Sequence, residues 1–176
     1  MDRFNSLITE AQSCRLCEEC LPLGPRPVFS IHPKSKVLVI GQAPGTKVHA
    51  TGIPWNDLSG EELRRWMGFC YPGRGKGGDM PPRPECGPTW HERMRAEMPQ
   101  VQLTLLIGQY AQKYYLGSMR KNTLTQTVMT YEEYLPDFFP LVHPSPRNRM
   151  WQRRNPWFET KVIPMLQERV HGIITG

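Results

Sequence analysis

Apolar positions in this chain gather into a few short runs separated by polar and proline-rich stretches, and the runs differ in period. Val37-Leu-Val-Ile40 is four consecutive β-formers, a pattern that predicts a buried strand, and it runs into Gly41-Gln-Ala-Pro-Gly45, which predicts a tight turn. Val101 to Ile107 predicts a second buried strand, ended by Gly108. Phe138-Phe-Pro-Leu-Val142 is a third apolar run, feeding the proline-fixed turn His143-Pro-Ser-Pro-Arg-Asn148.

Helical spacing separates these runs. Phe4, Leu7, Ile8 and Ala11 recur behind Asp2 as N-cap, and Ser59-Gly-Glu-Glu62 is a capping box before Leu63, Trp66 and Met67. Thr89 to Met98 predicts a helix with Thr89 and Glu92 as its capping box. Tyr110, Ala111, Tyr114 and Tyr115 give the next helix an aromatic face of the kind that usually packs into a core, with Gly117 as its stop. Thr123 to Tyr134 reads as a further helix weakened by four threonines. The last helix has Asn155 as N-cap, Pro156 at its first position, Trp157, Val162, Met165, Leu166 and Val170 facing inward, and a kink at Pro164. Strands alternating with helices predict an α/β protein, a three-layer α/β/α sandwich around a short, mainly parallel sheet, with both proline-containing turns at the carboxyl ends of strands.

Composition adds class and partner. A chain of 176 residues is expected to form one domain, 1–176, burying about 70% of the surface its unfolded form exposes. With 39% hydrophobic and 22% charged residues it is globular in composition, and no segment is apolar enough to span a membrane. The N-terminus has no signal-peptide core, so a cytoplasmic protein is expected, and we expect a monomer. A net charge of +6 and a pI of about 9.2 suit a polyanionic partner.

The five cysteines change the picture further. Cys14-Arg-Leu-Cys17-Glu-Glu-Cys20 is a tight cluster, followed by Leu21-Pro-Leu-Gly-Pro-Arg-Pro27, which suits neither helix nor central strand. Cys70 and Cys86 flank a Gly/Pro-rich stretch, Pro72 to Pro84, that reads as a long irregular loop. In a cytosolic chain such spacing points to metal or to an iron–sulfur cluster rather than to disulfides. A zinc site with four cysteines remains the alternative.

The turn after Ile40 has two glycines that let main chain approach a ligand, and Gln42 as its polar side chain. It is neither a dinucleotide fingerprint nor a Walker A loop, so nucleotide chemistry gains no support. Thr46 to Asp57 is too polar and interrupted to predict an element; it holds His49, an exposed loop histidine by expectation with no assigned role, and Trp55, whose ring face can stack on a base. Ser145, Arg147, Asn148 and Arg149, with Trp151-Gln-Arg-Arg154, form a basic run with an interleaved aromatic, suited to phosphate contact and minor-groove insertion.

Together the two turns resemble the active-site motifs of the uracil-DNA glycosylase superfamily, a G-x-x-P-G type loop and an H-P-S type loop flanking one flipped base. Gly52-Ile-Pro-Trp55 and Leu105-Leu-Ile-Gly-Gln-Tyr-Ala111 resemble two further elements of that superfamily, and the cysteine spacing resembles that of its iron–sulfur branch. The resemblance implies an α/β fold and a DNA-repair hydrolase that cleaves the N-glycosidic bond of a flipped-out uracil in DNA. It implies catalytic roles for Gln42 and His143, substrate contacts from Gly41, Ala43, Trp55 and Asp79, and DNA contacts from Ser145, Arg147 and Asn148. It also implies a [4Fe-4S] cluster held by Cys14, Cys17, Cys70 and Cys86, with Cys20 left over and able to replace Cys14 or Cys17.

The chain departs from the pattern in three places. The strand usually preceding the third cysteine is shortened or missing. Gly75 stands where the branch has a uracil-reading asparagine, leaving Asp79 as the nearest polar substitute. Gln42 cannot act as a base, where many relatives have an acidic or amide group that handles water. A non-catalytic, cluster-bearing DNA-binding or damage-sensing protein of the same fold is therefore the alternative.

Overall fold

A computed structural model of the chain describes residues 3–41, 43–54, 56, 74–75, 78–79, 83–145 and 148–176, the residues at 74–75 and 78–79 by backbone alone. In chain order the elements are α1 (Arg3–Gln12), β1 (Val37–Ile40), α2 (Thr46–Thr51), β2 (Arg74–Gly75), β3 (Gly78–Asp79) and α3 (Glu92–Ala96). Then follow β4 (Leu103–Ile107), α4 (Gly108–Leu116), α5 (Leu124–Met129), β5 (Phe138–Leu141), α6 (Arg149–Arg154) and α7 (Ile163–Thr175). The chain divides into two compact units: Met1–Lys34 with Gln42–Pro99, and Ser35–Gly41 with Gln100–Gly176.

The first unit packs Leu7, Ala11, Cys17, Leu21, Val28, Val48, Trp90, Met94 and Met98 out of solvent. On its surface Arg93 lies over the Trp90 ring, 5.0 Å from its centroid, and pairs with Glu10, while Arg3 pairs with Glu97 at 2.8 Å. Such pairs at the surface are screened by water and contribute little to stability, so they line the crevice between α1 and α3 rather than hold it together.

Several expectations are corrected in this unit. Thr46 to Thr51, read as irregular, is a helix: Gly45 precedes it in extended conformation and Gly52 ends it in the left-handed region (φ 71°). A polar hexamer becomes helical here because its ends are fixed and because Val48 and His49 are buried, His49 at 7% exposure. His49 is thus not the exposed loop residue expected. The loop between the distant cysteines contains a small antiparallel hairpin, Arg74 opposite Asp79 and Gly75 opposite Gly78. The helix expected from Thr89 begins earlier, as a wide π turn over Gly87–His91 with Pro88 in its first turn, where a missing N–H costs nothing. Thr89 is therefore inside the helix, its hydroxyl donating to the Glu85 carbonyl at 2.7 Å instead of capping.

The second unit is built on a parallel sheet of three strands in the order β1-β4-β5, flanked by helices, so the α/β class read from the sequence is the class found. β4 is buried at every position, whereas β1 alternates half-buried and buried. The core is Leu103, Leu106, Ile107, Leu116, Val128, Phe139, Leu141 and Val162. The Thr104 N–H donates to the Asp137 carbonyl at 2.8 Å, so alternate residues of β5 turn their backbone groups toward β4. Pro140, lacking an N–H, falls on the opposite side, the position where a strand tolerates proline.

Helix ends in this unit follow local chemistry. The Thr123 hydroxyl accepts from the Gln126 N–H at 3.1 Å and caps α5, and the expected long helix breaks at Thr130 into a 3-10 turn over Tyr131–Tyr134. On α4 the inward face is Gly108, Ala111, Gln112 and Leu116; Tyr110 and Tyr115 are half-buried and Tyr114 is 43% exposed, so the aromatic stripe is marginal rather than core. Asn155 does not cap with its side chain. Its amide donates to the Trp151 carbonyl at 2.8 Å and accepts from the Trp157 indole at 3.2 Å. A π turn over Phe158–Val162 precedes α7 and takes up the irregularity that Pro164 imposes. The basic run after the second turn, which carried no predicted element, forms α6.

Candidate active site

Parallel strands put their carboxyl ends on one side, and there the chain leaves all three strands of the second unit. Ile40, Leu106 and Pro140 stand in register across the sheet, so Gly41 follows β1, Gly108 caps β4, and Val142 and His143 leave β5. Gly41 and His143 therefore leave the strands on either side of the central one, at its carboxyl end.

Gly108 is the pivot of this end. It sits at φ 73°, where a side chain is strained, and an added Cβ would meet the Cβ of His143 at 3.7 Å. β4 can turn directly into α4 only with such a residue, and the turn brings the half-buried His143 against it. Beyond His143, Pro144 is buried, the Asn148 side-chain amide donates to the His143 carbonyl, and the Asn148 N–H donates to the Ser145 carbonyl at 2.8 Å. The loop is thus tied back on its own first residue. Its amide engaged in this way, Asn148 holds the loop that carries His143, a part the sequence did not reveal. Ser145 is half-buried, and Arg147 lies outside the described residues.

The first unit contributes separately. Ala43 is half-buried ahead of α2, and Gln42 and Trp55 lie outside the described residues, as does the segment 57–73 with Cys70, the capping box at Ser59 and the place where the family's strand reads as shortened or missing. Asp79 is described by its backbone in the hairpin. Arg26, another residue the sequence reading passed over, donates from Nη1 to the Ala50 carbonyl at 2.7 Å, and an added Cβ at Gly52 would lie 2.8 Å from its Nη2. It fastens the proline-rich stretch 21–27 to the last turn of α2, supplying a donor for a carbonyl that the helix leaves unpaired.

Cys14, Cys17, Cys20 and Cys86 all belong to this unit. Cys17 is buried, Cys14 and Cys86 are half-buried, and Cys20 is exposed at the end of a 3-10 turn whose N–H donates to the Cys17 carbonyl at 2.9 Å. The Cys17 thiol faces Glu85 Oε2 at 3.7 Å, and Arg83 donates to Glu85 Oε1 at 2.8 Å. Burial pushes the Cys17 thiol up, with Arg83 pulling against it. Among the described residues no three Cys, His, Asp or Glu side chains come together as a metal site.

His91, in the π turn five residues past Cys86, is held neutral: burial lowers it from 6.5 to about 4. The unfolded chain therefore takes up a proton between pH 6.5 and 4 that the folded chain refuses, so the stability is complete above 6.5, falls with pH and is lost below about 4. The wild type should lose roughly 3 kcal/mol over this window through His91. Urea unfolding at stepped pH checks this: His91→Gln should flatten the decline, and an unaltered pH profile would contradict the assignment.

Residues 29–167 match the model of the uracil DNA glycosylase superfamily. The chain belongs to that superfamily. The matched span runs through both units and includes the turn after β1, Gly108 and the His143 loop. Membership carries DNA glycosylase-type function in the broad sense, with DNA as the partner. Among the described residues no helix is long and apolar enough to cross a membrane.

Proposed function

We propose that this superfamily member is a uracil-DNA glycosylase of base excision repair, hydrolysing the bond between a flipped-out uracil and its deoxyribose as a cytoplasmic monomer. The observation that carries the reading is His143, placed against Gly108 just past the carboxyl end of β5, with its backbone carbonyl tied by the Asn148 amide. A stacked base cannot be reached within a duplex, so extrusion comes first, at a cost of a few kcal/mol. Bond cleavage then puts positive charge on the sugar and negative charge on the departing uracil. His143 donates to uracil O2 as that charge grows, and a donor fixed before the reaction needs no reorganisation during it. Gln42 with the main chain of Gly41 and Ala43 orients the base or the attacking water. Trp55 stacks on the pyrimidine, Asp79 contributes to recognition or water placement, and Ser145, Arg147 and Asn148 serve the DNA backbone and groove.

Cys14, Cys17, Cys70 and Cys86 are the proposed ligands of a [4Fe-4S] cluster, zinc being the alternative and Cys20 a substitute ligand. Arg83 beside the buried Cys17 favours its thiolate, while burial and Glu85 at 3.7 Å disfavour it, so the thiolate needs the positive charge that bound metal brings. Bound, the cluster supplies structural cross-linking rather than chemistry at the sugar. Freshly purified protein should be brown and contain about four irons per chain, and Cys17→Ser should lose both colour and folding of its unit. Colourless protein with one zinc contradicts it.

Gln42 favours a second reading. An amide cannot accept the proton of attacking water, which favours a non-catalytic, cluster-bearing DNA-binding or damage-sensing protein of the same fold. A single-uracil oligonucleotide followed by alkali decides between them: strand breakage at the uracil supports the enzyme, and binding without breakage supports the sensor.

A further inference from the structure

Gln112 is wholly buried on α4, at 0% exposure, and its amide nitrogen joins the ends of two strands: it donates to the Leu141 carbonyl of β5 at 2.9 Å and, less closely, to the Leu106 carbonyl of β4 at 3.4 Å. Its Oε1 is buried with no hydrogen-bond partner among the described residues. An orphaned acceptor costs about 1–3 kcal/mol, and an apolar side chain of the same length would fill the same space without it. Packing alone therefore does not account for a glutamine here. The amide does what an apolar chain cannot: it fixes where β5 ends relative to β4.

Leu141 stands two residues before His143. The amide of Gln112 holds the chain on that side, and the amide of Asn148 holds the His143 carbonyl on the other. Gly108 opens the helix that carries Gln112 and also meets His143, so helix, central strand and loop share one joint. We propose that Gln112 is a positioning residue that sets the reach of His143 toward the substrate, an inference that rests on His143 as the donor described above.

Gln112→Met keeps the volume and removes both donors. Single-turnover excision should fall about 10–100-fold with uracil-DNA affinity unchanged, since displacement of a catalytic group by about 1 Å is worth that much, and the His143 ring resonances should move. Gln112→Glu, whose buried acid form keeps one donor, should restore part of the rate and serves equally if the Met variant does not fold. Thr104→Val, at another wholly buried polar position in β4, controls for general loosening and should leave rate and resonances alone. Wild-type rate and unmoved His143 signals in Gln112→Met overturn the proposal, as does an equal loss in Thr104→Val. If the wild type itself excises no uracil, the glycosylase reading fails, while the ring resonances still show whether Gln112 sets the His143 loop.

Discussion

His143→Ala should excise uracil about 10²–10³ times more slowly than wild type in single turnover, with affinity for uracil-containing DNA held within a few-fold. The split follows from when the interaction exists. Uracil O2 is a neutral carbonyl in the ground state and gains charge only as the glycosidic bond stretches, so a donor aimed at it stabilises the transition state far more than the bound complex. Anchoring makes the effect large. His143 follows a strand end, lies against Gly108 and has its carbonyl tied by Asn148, so its backbone is held before DNA binds. An exposed, freely rotating histidine would spend part of the gain on ordering itself. Unchanged excision in His143→Ala, or a loss matched by equal loss of binding, removes His143 from the chemistry and favours the sensor reading.

What was legible in the sequence was whatever a core dictates. β1, β4 and β5 appear as apolar runs because each lies in a sheet with covered faces, and the stops at Gly108 and Gly117 appear because both residues adopt positive φ. Elements made by their ends were not legible. α2 has no apolar period; Gly45, Gly52 and Arg26 shape it from outside its own sequence. α6 looked like a basic run because none of its residues is buried. Gln112 is not legible because a glutamine beside an aromatic helix face reads as solvent-facing, although its place four residues after Gly108 and one after Ala111 puts it on the inward face. Arg26 acts on a carbonyl distant in sequence and Asn148 on one across a proline-containing turn, and no periodicity of apolar positions announces such bonds. Gln42, Trp55, Cys70 and Arg147 were singled out from motifs and lie outside the described residues, so their roles rest on the superfamily and on chemistry.

The largest loss of stability from one substitution is expected at Phe139. It is at 0% exposure in the middle of β5, opposite Leu105 of β4, and its ring stacks on Tyr131 at 4.8 Å between centroids and 18° between planes. Tyr131 is itself buried, which pushes its hydroxyl up, and it belongs to a 3-10 turn that has few other ways to follow a shrinking neighbour. The cavity left by Phe139→Ala cannot be filled from the β4 side either, because register fixes Leu105 there. Loss of transfer energy plus an unrelaxed cavity amounts to about 3–5 kcal/mol, a large share of the roughly 5–15 kcal/mol that holds a domain folded. At about 2–4 °C per kcal/mol for a chain of this size, the melting temperature should drop by about 10 °C. Phe138, one residue earlier and on the opposite face, is half-buried, so Phe138→Ala should cost well under half as much. Urea titration of the two variants side by side measures this directly, and equal losses would mean that the stacked ring is not the keystone of the β5 face.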